Sequence, residues 1–131
     1  MVTLDYYHLC EEVVNRDDGN MDLIGIFDHL VGNDLPTFSQ MDIILYWSAA
    51  PGEHFRVRCE MRAGTNRLET FTNTIPVVAE PNATGDEIVH VSTAFRLHNI
   101  NISELGTHYI NVFVDETVIR SIPFPVIDSS G

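Results

Sequence analysis

Apolar and polar residues alternate with a period of two along most of the chain, and clusters of Gly, Pro, Asn and Asp interrupt the alternation at the spacing of an antiparallel all-β domain. The clearest stretch is Phe55-Arg56-Val57-Arg58-Cys59-Glu60-Met61-Arg62. Its Phe, Val, Cys and Met point one way and its three Arg and one Glu the other, as in a strand half on a core and half in water. Ile43-Ile44-Leu45-Tyr46-Trp47 is rich in strand formers on both faces, and Pro51-Gly52 supplies a turn, so the two segments predict a hairpin.

The same reading predicts strands over Leu4 to Val14 and Met21 to Leu30, joined by the turn at Arg16-Asp17-Asp18-Gly19-Asn20. Gly25 inside an apolar run predicts a bulge or a close backbone approach. Val31 to Gln40, with Gly32, Asn33, Asp34 and Pro36, reads as a long connection crossing between sheets. Further strands follow over Arg67 to Val78, weakened by Pro76, then Ile88 to Leu97, His108 to Asp115 and Val118 to Ile127. Pro123 and Pro125 cannot donate to a ladder and mark the last as an edge strand or a chain end. No helical apolar stripe and no repeat interrupts this series. The expected fold is all-β, a two-sheet antiparallel immunoglobulin-like sandwich of about eight strands with little helix, forming a single domain over residues 1–131.

The chain's 131 residues, 44% of them hydrophobic, suffice for a continuous core without disulfide or metal support. Nineteen acidic against seven basic residues give a net charge of −12, which repels phosphate backbones and anionic headgroups, so neither nucleic acid nor membrane is an expected partner. All the basic residues are Arg; the absence of Lys excludes Schiff-base chemistry and a P-loop. No basic N-terminal segment leads into an apolar run, and no stretch approaches the ~20 apolar residues of a spanning helix, so a cytoplasmic protein is expected. Cys10 and Cys59 read as buried, reduced thiols, with a disulfide as the lesser alternative, because Trp47 is not placed as in an immunoglobulin bridge and two cysteines do not make a disulfide scaffold. In that compartment the sequons at Asn82-Ala83-Thr84 and Asn101-Ile102-Ser103 have no role.

Leu9-Cys10-Glu11-Glu12-Val13, Leu23-Ile24-Gly25-Ile26-Phe27-Asp28, Pro51-Gly52-Glu53-His54, and Gly106-Thr107-His108 running into Val112-Phe113-Val114-Asp115 carry a resemblance. In these segments the chain resembles a family of small uncharacterised bacterial proteins, a domain of unknown function that looks like an immunoglobulin-like β-sandwich. The family commonly has Tyr where this chain has His108. The resemblance implies fold, size and a bacterial cytoplasmic setting. It supplies no substrate, cofactor or catalytic residue, and fold alone supplies none either.

Each candidate site competes with a plainer reading. Asp17-Asp18-Gly19-Asn20-Met21-Asp22 offers oxygens for Ca²⁺, with Asp34 or Asp86 as further ligands, but it lacks the EF-hand order and serves equally as a turn. His8, Cys10 and Glu12 alternate on one strand and could begin a Zn²⁺ site, against a buried Cys beside a half-buried His. His54, His90, His98 and His108 are candidate general bases and seven serines candidate nucleophiles, none in a recognisable catalytic context; an isolated His in such a fold is usually at the surface. Arg56, Arg58 and Arg62 share an outward face that could dock an acidic partner, or be ion-paired across strands. Tyr6 or Tyr7, Tyr46, Tyr109 and Phe113 lie in segments apolar on both faces and suggest an interface.

With chemistry absent from the motifs, the expectation is a non-enzymatic interaction module, with no cofactor or metal, binding a protein partner or itself through a sheet face or edge; Arg56, Arg58, Arg62, Tyr109 and Phe113 mark the expected face. The alternatives are a ligand- or Ca²⁺-binding sandwich using the loops Val31 to Gln40 and Pro81 to Asp86, and a hydrolase assembled in the fold from His and carboxylates.

Overall fold

The computed structural model describes residues 2–27, 30–32, 37–81, 84–102 and 104–128. Among these residues there are ten strands and no helix: β1 (Thr3–Asn15), β2 (Met21–Phe27), β3 (Leu30–Gly32), β4 (Thr37–Ala49), β5 (His54–Arg62), β6 (Leu68–Phe71), β7 (Ile75–Val78), β8 (Val89–Ile102), β9 (Gly106–Val114) and β10 (Thr117–Asp128). They form two sheets, ordered β2-β1-β4-β8 and β3-β10-β9-β5-β6, with β7 also on β5. The expected two-sheet sandwich is therefore the observed one. All pairings are antiparallel except the short β3–β10 contact. The order β10-β9-β5, with β4 and β8 in the opposite sheet, is the G-F-C and B-E arrangement of immunoglobulin-type sandwiches.

Alternation decides which residues enter the core. Met41, Ile43, Leu45 and Trp47 of β4 and Phe95 and Leu97 of β8 meet Phe55, Val57, Cys59 and Met61 of β5, Ile110 and Val112 of β9 and Ile122 and Phe124 of β10. The rings of Trp47 and Phe55 lie 5.5 Å apart across the two sheets. Trp47 is fully buried, and its indole N–H donates to Thr93 Oγ1 at 3.0 Å.

Several boundaries differ from the sequence expectation. The segments around Pro51-Gly52 do not pair as a hairpin: β4 and β5 stand in opposite sheets. The turn chemistry is as read, with Glu53 N–H bonded to the Ala50 carbonyl at 3.0 Å and Gly52 at φ +79°. It makes an arch because β4 already has β1 and β8 on its two sides, so β5 continues in the facing layer. Arg67 to Val78 is two strands: Thr72 donates its N–H to the Cys59 carbonyl and takes the Cys59 N–H on its hydroxyl, which interrupts the ladder between β6 and β7. The expected long connection over Val31 to Gln40 contains the end of β3 and the start of β4, and the chain does change sheets there. Gly25 has φ +68°, and a Cβ there would come within 2.7 Å of the Glu11 side chain, the close approach foreseen.

Among the described residues β3 pairs β10 only at Val126 to Asp128, so Pro123 and Pro125 lie where β10 has β9 alone beside it. At the opposite seam β6 approaches β8, and Thr70 donates its hydroxyl to the His98 carbonyl at 2.8 Å.

Replacing Thr93 by Val keeps the shape of the side chain but leaves the Trp47 indole N–H buried without an acceptor. Thr93→Val is expected to lower unfolding free energy by about 1–3 kcal/mol, read from the urea midpoint, with little change in m-value.

Candidate functional site

The register places outward-facing side chains of the first sheet in cross-strand rows. Thr3, Ser48 and His90 form one, Tyr6, Tyr46 and Ser92 the next, then His8, Ile44 and Ala94, and then Ile26, Cys10, Asp42 and Arg96, with Ile24 and Glu12 beyond. Tyr6 stacks on Tyr46 at 4.3 Å, and His8 sets its edge against both rings at 6.0 Å. Ile44 and Cys10 are fully buried although they face away from the core, while Tyr6, Ile24 and Ile26 remain 54%, 47% and 59% exposed. The result is a strip apolar enough to dry its own floor yet open on top. Burial raises the Tyr46 phenol pKa, with Tyr6 and Cys10 adding to it.

A charged pair closes one end of this strip. Burial pushes the Asp42 carboxyl up, but the Arg96 guanidinium at 2.7 and 2.9 Å and the Val13 N–H at 2.7 Å outweigh burial and hold it below its ordinary value. At the other end lies a cleft of about 240 Å³ lined by Asp5, Tyr6, Tyr46, His90 and Ser92. A bulge in β1 between Leu4 and Tyr6 makes it: Leu4 pairs with Trp47 and Tyr6 with Tyr46, so Asp5 is the extra residue. The bulge turns Asp5 toward Ser48, whose hydroxyl donates to Asp5 Oδ2. With its hydrogen committed to the carboxylate, Ser48 Oγ accepts from His90 Nδ1 at 3.2 Å, and Asp5 Oδ2 stands 4.0 Å from that nitrogen.

The outer face of the second sheet carries the residues that the sequence singled out. Arg56 and Pro76 form one row, Arg58, Phe113 and Val118 the next, then Phe71, Glu60, Asn111 and Ser121, and then Arg62 with Tyr109 and Pro123. The arginines are not a free cationic row. Arg58 lies 3.6 Å above the Phe113 ring and bonds Glu116 at 3.0 Å, while Arg62 bonds Glu60 at 2.8 Å. Burial raises the Glu60 carboxyl, but hydrogen bonds from Arg62 and Asn111 with the charges of both arginines bring it below its ordinary value. Phe113, expected among the exposed aromatics, is only 8% exposed because Arg58 covers it, whereas Tyr109 is exposed.

The remaining candidates separate. Asp17 and Asp18 sit in the β1–β2 turn, where Asp18 accepts from Arg16 and from the Asn20 N–H. Asp34, Asn82 and Ser103 lie outside the described residues. His8, Cys10 and Glu12 do share the outer face, yet among the described residues no group of three or more His, Cys, Asp or Glu is placed to hold a metal. Both cysteines are free and buried, Cys10 under the outer face of the first sheet and Cys59 in the core, with burial pushing the Cys59 thiol up to about 12.

His108 corrects the expectation of a surface histidine. It is fully buried, with Nδ1 3.2 Å from the Gly106 carbonyl and Nε2 3.1 Å from Glu69 Oε1, an oxygen that also takes Arg67. The side chains of His108 and Glu69 are wholly enclosed, so no substrate reaches them. The missed signal was Glu69 and His108 alternating inward on their own strands; their meeting depends on β6 and β9 flanking β5, which one strand's pattern does not show.

Fold and surface together define an immunoglobulin-like sandwich whose first outer face carries a contiguous aromatic and aliphatic strip. The chain belongs to a family of unknown function (DUF6941), whose model matches residues 5–127. No curated protein matches. Among solved structures it is similar to a glycosyl hydrolase family 2 (GH2) member from Bacteroides cellulosilyticus DSM 14838, at 12% identity and a TM-score of 0.42, over 73% of this chain and 14% of that one. The chain thus spans about a seventh of that protein. Among the described residues no helix is long and apolar enough to cross a membrane.

Because the folded-state pKa of Asp42 is depressed, its contribution to stability is complete above the unfolded value, near 3.8, and is lost as pH falls through the folded value. Asp42→Asn is therefore expected to lower the urea midpoint clearly at pH 7, with the gap to the parent protein narrowing below pH 3.8.

Proposed function

We propose that the chain is a non-enzymatic protein-interaction module that receives its partner on the outer face of the first sheet, beside the open edge of β2. The observation that carries this reading is the strip of Tyr6, Tyr46, Ile44, Cys10, Ile26 and Ile24, where exposed apolar side chains lie contiguous with an already dry floor. Contiguous apolar surface rimmed by polar residues marks interaction sites in soluble domains. Among the described residues β2 pairs only with β1, so its far side offers backbone groups to an added strand. The second sheet's face is a weaker candidate, since its charges are satisfied internally.

The juxtaposition of Asp5, Ser48 and His90 brings a hydrolase to mind, but the geometry favours binding. A serine nucleophile needs a base oriented by a third group. Here the carboxylate takes the serine's hydrogen itself, and His90, 78% exposed in its side chain, bonds the hydroxyl and stands 4.0 Å from the carboxylate.

The test is gentle purification of the tagged protein from its own host, with light scattering on the eluted species, for the parent chain, for Ile24→Asp/Ile26→Asp, and for Phe71→Ser as a control on the other sheet. A partner at fixed stoichiometry, or a defined homo-oligomer, is expected with the parent and Phe71→Ser chains and is expected to be lost with the double variant. A lone monomer in all three, or loss only with Phe71→Ser, would overturn the assignment.

A further inference from the structure

The cleft at the bulged end of the strip has a chemistry of its own. Its polar lining is the Asp5 carboxylate, the Ser92 hydroxyl and the His90 ring, with the Ser48 hydroxyl bonded to Asp5 and His90 beside it. No Arg stands among the lining residues, and Arg120, which reaches toward β1, donates instead to the Leu4 carbonyl at 3.4 Å. Its wall is the stacked pair Tyr6 and Tyr46, with Tyr6 more than half exposed. At about 240 Å³ it is smaller than the ~300–1,000 Å³ of sites for drug-sized ligands and suits a single side chain.

An aromatic wall beside a carboxylate selects a cation, and a planar one best: guanidinium is weakly hydrated, stacks on ring faces and bonds a carboxylate in its own plane. Ser48 donates to Oδ2 of Asp5, so a further donor would be taken on Oδ1. The net charge of −12 favours a cationic group over an anionic one. We infer that this cleft is a receptor for one guanidinium group, carried by an arginine side chain of the partner protein. The inference rests on the proposed docking face and deepens it. Tyr6 stacks the guanidinium plane, Asp5 neutralises it, and the neighbouring apolar strip takes the flanking residues of the partner.

The probe is Nα-acetyl-arginine methylamide, with the citrulline analogue as its neutral counterpart and the lysine analogue as its ammonium counterpart, titrated into the full ¹⁵N-labelled chain. Saturable amide shifts at Asp5, Tyr6, Ser48, His90 and Ser92 are expected with the arginine probe. Citrulline is expected to bind at least tenfold more weakly, and lysine more weakly than arginine. Asp5→Asn, which keeps an acceptor for Ser48, is expected to weaken the arginine probe at least tenfold with the remote spectrum unchanged, and Tyr6→Leu to weaken it as well. Equal response to arginine and citrulline, no saturable response in the millimolar range, or shifts centred elsewhere would overturn the inference. The citrulline comparison uses the unmodified chain, so it decides even if a variant fails to fold. If Ile24→Asp/Ile26→Asp abolishes partner capture while the cleft ignores guanidinium, the docking face stands and the arginine receptor falls.

Discussion

Met41, Ile43, Leu45 and Trp47 of β4 face the core, and Asp42 and Ile44, pointing the other way, are buried as well. A central strand dry on both sides constrains its neighbours. Among the described residues no second layer of secondary structure lies above Ile44, so the side chains of its own sheet, Tyr46 and His8 among them, lean over it. Asp42 cannot be dry and unpaired, which explains the two bonds from Arg96 and the third from the Val13 N–H. The stacked tyrosines, the buried Cys10 and the ion pair are consequences of one strand with apolar residues on both faces.

The two outer faces solve the problem of exposure differently. On the second sheet, alternating Arg and Glu neutralise one another and Arg58 lies over Phe113, so the exposed Phe71 and Tyr109 stand among paired charges. On the first, apolar side chains cover apolar side chains, and the outermost stay exposed. Burying them against a partner removes apolar surface from water at little further cost in desolvated charge, whereas the second face would first have to give up its ion pairs. The acidic excess has little bearing on the fold but decides the sign of what is attracted.

The alternation of Phe55 to Arg62 shows its face assignment directly, and the two-sided apolar run Ile43 to Trp47 already describes β4. What alternation cannot show is which strands become neighbours. A Pro-Gly turn fits a hairpin and an arch equally, and the choice depended on β4 having both sides taken. The charged row on β5 was legible, but its neutralisation by Glu116 and its stacking on Phe113 required β9 and the β9–β10 turn to lie beside it. Asp5, Ser48 and His90 come from three strands, and a one-residue bulge sets their meeting, so no spacing in the chain announces the cleft. The buried pairing of His108 with Glu69 was hidden for the same reason.

The most direct test of the central claim is amide hydrogen exchange on the protein carrying its native partner, compared with the same protein after the partner has been stripped away. The account predicts added protection along β2 and over Tyr6 to Cys10 and Tyr46 to Ser48, with the second sheet unchanged. Protection concentrated on Arg56 to Arg62 and Tyr109 to Phe113 would contradict it, placing the docking surface on the opposite face.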